Sequence, residues 1–187
     1  MRNLKGIFAI CLLAILLVNC KSEFLPVESL YTISINSGDT TYSFQVQGIE
    51  EQPKIKDEVY YTWHKSNKLY TSQGGYNGQL LNGKYEEFVN KQLIKKGLFQ
   101  DGSKVGSWKE WNRKGDLISV ITYKKGLRSG AYKLYGQNGQ VREYGNLKNG
   151  KRSGKIVYLN SGEEALAIRY QAGVPKDTVS TKKLGLF

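Results

Sequence analysis

The stretch GSWKEWNRKGDLISVITYKKGLRS, residues 106–129, reads as strand, turn, strand, turn. GSWKEW supplies one strand, NRKGD a turn, LISVITY a second strand and KKGLRS the link onward. Aromatic and β-branched side chains suit a pleated, half-buried surface, and glycine permits the positive φ of tight turns. The unit recurs on both sides. Its opening glycine returns as Gly83, Gly106, Gly130 and Gly154, with separations of 23, 24 and 24 residues. Two and five positions later stand Tyr85 and Phe88, Trp108 and Trp111, Tyr132 and Tyr135, Ile156 and Leu159. A mid-unit turn follows at Lys91, Gly115, Gly139 and Gly162, where lysine replaces glycine in the first unit. A second apolar run then closes on Phe99, Tyr123, Leu147 and Tyr170, before a turn glycine at Gly102, Gly126, Gly150 and Gly173. Self-similarity at a fixed period marks a repeat array.

The pattern predicts an all-β fold, an elongated, twisted antiparallel sheet of stacked β-hairpins. With two strands per unit at about 4.8 Å spacing, each unit adds roughly 10 Å to a ribbon on the order of 50 Å. Upstream, Tyr31, Ile33 and Ile35 alternate with polar residues, as do Tyr42, Phe44 and Val46. The intervening Asn36-Ser37-Gly38-Asp39 is turn chemistry, so residues 31–56 read as a lead-in hairpin and a connector containing Pro53. A degenerate unit begins near Tyr60, with Tyr60 and Trp63 spaced as Trp108 and Trp111 are. The array of about five units thus covers residues 57–177, where Asp177 replaces a further opening glycine, and residues 178–187 read as a C-terminal tail.

The first residues form a targeting segment. Arg2 and Lys5 make a cationic start, and Ile7 to Val18 an apolar run of 12 residues, short of the roughly 20 needed to span a bilayer. Leu17-Val18-Asn19-Cys20 is similar to a bacterial lipobox, although Asn19 stands where Gly, Ala or Ser is usual. Residues 1–19 are therefore read as a cleaved lipoprotein signal peptide, Cys20 as the lipidated residue and residues 20–30 as a tether. An outer-membrane lipoprotein is expected; Lys21-Ser22-Glu23 lacks the acidic run that sends some lipoproteins to the surface, which favours the periplasmic face.

Composition removes several chemistries. The two cysteines, Cys11 and Cys20, both fall in the leader region, so no disulfide or cysteine metal site is expected beyond it. His64 is the single histidine and has no partner ligands in its neighbourhood, which predicts no metal and no cofactor. No G-x-S-x-G or comparable nucleophile context appears, and the chain is read as non-catalytic. Gly145 to Lys151 fits half of a phosphate-binding loop, but Arg152 stands where Ser or Thr is required to hold Mg²⁺.

The net charge is +12, and removing Arg2 and Lys5 leaves +10 for residues 21–187. A basic chain ordinarily suggests nucleic acid. An exported lipoprotein does not meet it, so the expected partners are an acidic protein, anionic polysaccharide or anionic lipid. Candidate contact residues are the aromatics Trp108, Trp111, Tyr132 and Tyr135 and the inter-unit cations Lys148, Lys151 and Arg152. The aromatics are taken together as neighbours on one ribbon face, with a packed core as the competing role.

From Tyr60 to Lys176 the pattern G-x-W-x-x-W-x-x-x-G-x-L, followed by Y-x-x-G-x-x-x-G, resembles the bacterial variant of the MORN repeat. GGYNGQLLNGKYEEF leading into GLFQDGSKVGSWKEW is similar to exported proteins of the YwqK-type antitoxin family. The resemblance implies a twisted antiparallel ribbon that engages protein or phospholipid. Two functions are expected from it: a lipid-anchored binding scaffold in the cell envelope or, alternatively, an immunity protein that neutralises a toxin.

Overall fold

A computed structural model describes residues 30–48, 53–137, 139–160 and 163–180; Cys20 and the rest of the leader lie outside them. Every regular element among the described residues is a strand. The lead-in hairpin is β1 (Leu30–Ser37) and β2 (Thr40–Gln47), and the degenerate unit is β3 (Tyr60–Lys65) and β4 (Lys68–Gln73). The four full units supply β5 (Gln79–Val89), β6 (Gln92–Gln100), β7 (Ser103–Trp111) and β8 (Leu117–Lys124). They continue through β9 (Leu127–Tyr135), β10 (Val141–Lys148), β11 (Lys151–Asn160) and β12 (Glu163–Gln171), and a further strand, β13 (Val174–Ser180), follows the fourth unit. From β5 onward each strand pairs antiparallel with the next, giving an open sheet. The strand β13 runs past Asp177, so pairing continues beyond the boundary drawn from the missing glycine.

The order of the first units differs from a simple stack. The lead-in hairpin joins the array directly, β2 pairing with β5, while β3–β4 leaves the path and is held to the start of β5 through Trp63 opposite Leu80 and His64 opposite Gln79. The cause is the apolar face of the lead-in hairpin. Ile35, Phe44 and Val46 join Leu81, Tyr85, Phe99 and Trp108 in the main core, with Leu69 of β4 packed against it. Lying across the face, β3–β4 covers apolar surface that an end-on position would leave in water. The crossing is tight, because a Cβ at Gly78 would run into the His64 carbonyl and the Trp63 ring.

The opening glycines mark a repeated irregularity. Between Lys96 opposite Lys109 and Leu98 opposite Val105, three residues of β7 (Gly106, Ser107 and Trp108) face one of β6, Gly97. The same three-to-one step sets Asn82 to Lys84 against Gln45, Ser129 to Ala131 against Thr122, and Gly154 to Ile156 against Gly145. All four opening glycines have positive φ, from 66° to 124°. A bulge bends its strand and sharpens the twist, so the repeat period is also the period of bending.

The inter-unit turns repeat as well. Asp101-Gly102, Lys125-Gly126, Asn149-Gly150 and Ala172-Gly173 place two successive residues at positive φ, as two-residue hairpin loops require. Each turn glycine donates its N–H to a carbonyl of the preceding unit: Gly102 to Leu81, Gly126 to Lys104, Gly150 to Arg128 and Gly173 to Arg152, at 2.8 to 3.0 Å. In the first unit Asn90 and Lys91 adopt φ of 50° and 66°, so lysine takes the left-handed conformation without glycine.

Candidate functional site

A strand shows alternate residues to opposite faces, and the spacing of three that separates Trp108 from Trp111 therefore divides the aromatics. Trp108 and Tyr132 face inward with the core, at 2% and 5% exposure. Tyr85, Phe99 and Tyr123 surround Trp108 with ring centroids 5.1 to 5.9 Å away, and its Nε1 donates to the Leu98 carbonyl at 3.2 Å. Trp111 lies on the other face, half-buried, with the Lys96 ammonium 5.7 Å above its ring. Tyr135, one residue past inward-facing Leu134, shares that outer face and is also half-buried. The expectation of one aromatic face is thereby corrected. Trp108 and Tyr132 are core residues, and Trp111 and Tyr135 remain accessible.

The cations divide in the same way. Leu147 pairs with Arg152 and Lys148 with Lys151, so Lys148 and Lys151 sit side by side across the hairpin, exposed, on the face opposite Arg152. Arg152 lies on the inner face, its side chain 43% exposed. Its Nε and Nη2 donate to Glu143 Oε1 at 3.0 and 2.8 Å, the Tyr132 hydroxyl donates to the same oxygen, and the guanidinium lies 6.0 and 5.7 Å from the Tyr158 and Tyr170 rings. Glu143 is buried at 8% exposure. Its carboxylate, followed by the Tyr132 hydroxyl, holds the Arg152 pKa above its usual value, while burial and the bond to Glu143 raise that of Tyr132. Arg152 therefore neutralises a buried carboxylate and is not a free rim cation. Around this cluster lies a concavity of about 390 Å³.

A larger groove, about 540 Å³, runs between the β3–β4 hairpin and the inner face. Tyr85, Phe99 and Trp108 form its floor, Leu69 and Thr71 its hairpin wall, and Lys68, Glu87, Lys95 and Lys104 bring charge into it. Lys95 is shared between Glu87 at 3.6 Å and Glu110 at 3.7 Å. Lys104 stands 4.2 Å over the Trp108 ring and 5.3 Å from that of Tyr123. Burial first, and then the like charge of Lys95, lower its pKa. This groove escaped the sequence reading because its walls come from a hairpin displaced from its place in the repeat.

His64 packs its ring 5.5 Å from that of Phe44, with both ring nitrogens buried and unbonded. Among the described residues no group of three or more His, Cys, Asp or Glu side chains is arranged to hold a metal ion. The chain matches no protein-family model, and a search of curated proteins finds no match.

Proposed function

We propose that the chain is a lipid-anchored, non-catalytic binding scaffold of the bacterial cell envelope, built from MORN-like repeats, that engages a protein partner through its outer face. The observation that carries this reading is that Trp111 and Tyr135, at the mid-unit edge of the ribbon, and Lys148 and Lys151, at its inter-unit edge, all lie on the face opposite the core. Half-buried Trp and Tyr offer large contact area at low cost in side-chain entropy, and such residues dominate interface energetics. Lys148 opposite Lys151 adds support. Like charges directly across a ladder are destabilising, and an acidic partner would relieve that repulsion while gaining association rate. The leader ending at Cys20 supplies the anchor in this reading.

Pull-down from solubilised envelopes tests the outer face. Trp111→Ala and the double reversal Lys148→Glu/Lys151→Glu should each lose a partner that wild type captures, with unchanged circular dichroism and melting. Capture by wild type should also weaken as salt shortens the Debye length below about 8 Å. If both variants capture the partner as wild type does, the outer face is not the binding surface. Capture of a secreted toxin, with protection of the host from it, would instead identify an immunity protein.

A further inference from the structure

The groove beneath the β3–β4 hairpin carries a charge that the protein leaves unmatched. Of its two floor lysines, Lys95 is paired with Glu87 and Glu110, and Glu87 also accepts the Tyr85 hydroxyl at 3.0 Å. Lys104 forms no ion pair among the described residues; its ammonium rests instead against the faces of Trp108 and Tyr123. Desolvation of this ammonium is visible in its lowered pKa. A partly buried cation with no carboxylate in contact is costly even with Glu110 and Glu87 attracting it from further off, and an anion entering the groove supplies the missing contact. The volume of about 540 Å³ lies in the range of small-ligand sites, where apolar walls combine with a few convergent polar groups.

Charge and wall chemistry narrow the occupant. Lys68 lines the groove as well, and with Lys68, Lys95 and Lys104 set against the Glu87 and Glu110 carboxylates the site carries one net positive charge, which suits a monoanion better than a dianion such as phosphate. Ile35, Leu69, Phe99 and Trp108 line the groove beside the polar Ser37, Thr62, Asn67 and Thr71, so an occupant meets both apolar surface and hydrogen-bonding groups. We propose that this groove recognises a single carboxylate carried beside apolar side chains, as on an acidic residue of an extended segment of the partner, with Lys104 binding the anion and Leu69, Phe99 and Trp108 contacting the neighbouring groups. The proposal rests on the reading of the chain as a protein-binding scaffold and adds to it a second, inner contact.

Isothermal titration of the full chain in non-ionic detergent tests it with acetyl-Leu-Glu-Phe-amide, acetyl-Leu-Gln-Phe-amide, inorganic phosphate and glucuronate as probes. The glutamate peptide should bind saturably and the glutamine peptide at least tenfold more weakly. Lys104→Met and Lys104→Gln should each weaken the glutamate peptide at least tenfold, Lys104→Arg should keep most of its affinity, and Lys155→Met, far from the groove, should change nothing. The comparison of the two peptides on wild-type protein stands even if a Lys104 variant fails to fold. Equal binding of both peptides, unchanged binding by Lys104→Met, tighter binding of phosphate or glucuronate, or no saturable binding by any probe would each overturn the assignment. The pull-down on Trp111 and the lysine pair reads the opposite face, so either result can fail while the other holds.

Discussion

Gly97 of β6 lies directly under the indole of Trp108, where a Cβ would overlap the ring carbons. The lack of a side chain on one strand thus makes room for the largest side chain on the next. Gly97→Ala should force Trp108 off its position and destabilise the fold by about 1–3 kcal/mol. Gly75→Ala, where a Cβ meets nothing within 4 Å and φ is not positive, should change stability by less than about 0.5 kcal/mol. Denaturant melts of the two variants compare them, and equal midpoints would remove the role given to Gly97.

Gly130 tests the bulge itself. Its φ of 124° and the Thr122 side chain 2.9 Å from a would-be Cβ make Gly130→Val destabilising by about 1–3 kcal/mol. The side chain of Lys114, exposed on a turn, should tolerate alanine to within about 0.5 kcal/mol. Chemical denaturation of both variants checks the difference.

Glu143 binds Tyr132 and Arg152 through one oxygen. Removing Arg152 leaves that carboxylate buried with a single neutral donor, so Arg152→Met should cost about 1–3 kcal/mol. Combining it with Glu143→Gln should cost less than the sum of the single changes, because no unpaired charge then remains. A double-mutant cycle measures the coupling, and strict additivity would show that the pair is not acting as a unit.

Alkaline pH should reveal the buried tyrosines. Burial, the leading cause in each case, raises the pKa of Tyr76, Tyr85, Tyr132 and Tyr158, and that of Tyr158 reaches about 12 with the Tyr170 hydroxyl bond contributing. An unfolded tyrosine ionises near pH 10. The unfolded chain therefore releases protons first as pH rises, and the stability these groups contribute is complete below about pH 10 and lost above it. The melting temperature should hold steady below that point and fall as pH climbs from about 10 towards 12. Absorbance at about 295 nm should show these tyrosines lagging behind the exposed ones, and a single uniform titration would contradict their burial.

Cys20 gives a test of the anchor. Cys20→Ala should abolish incorporation of labelled fatty acid and leave an uncleaved precursor. Two acyl chains, at about 0.8 kcal/mol per buried CH₂, suffice for stable attachment. Unlabelled wild type, fractionating like the variant, would remove the anchor from the proposal.

The hairpin unit and both turn columns, apart from Gly162, which lies outside the described residues, were legible because they depend on local chemistry: glycine recurs where φ is positive, and large residues recur at fixed offsets from it. The division of Trp108 from Trp111 was legible in principle, since a spacing of three changes face in a strand. The bulges were not, because the residues opposite them (Gln45, Gly97, Thr122 and Gly145) are of three different types and form no single column. Nor was the displacement of β3–β4, which is driven by the exposed apolar face of a hairpin lying before it in the chain. Glu143 likewise carried no signal in the repeat. Its importance comes from Arg152, which sequence placed among the turn cations and pairing turned inward.

The fastening of each turn glycine to a carbonyl one unit back gives the array a direction. A newly added hairpin finds its anchor in the unit before it and makes no demand on the unit after it. Duplication at the C-terminal side can therefore lengthen the protein without rebuilding the rest, whereas the N-terminal units are tied together by the β3–β4 hairpin that crosses their core. The last strand among the described residues suits a growing end: Pro175 withholds an N–H, and Lys176 and Asp177 place charges along it, where they discourage pairing with another chain. Unit number is thus the dimension in which this fold lengthens most simply.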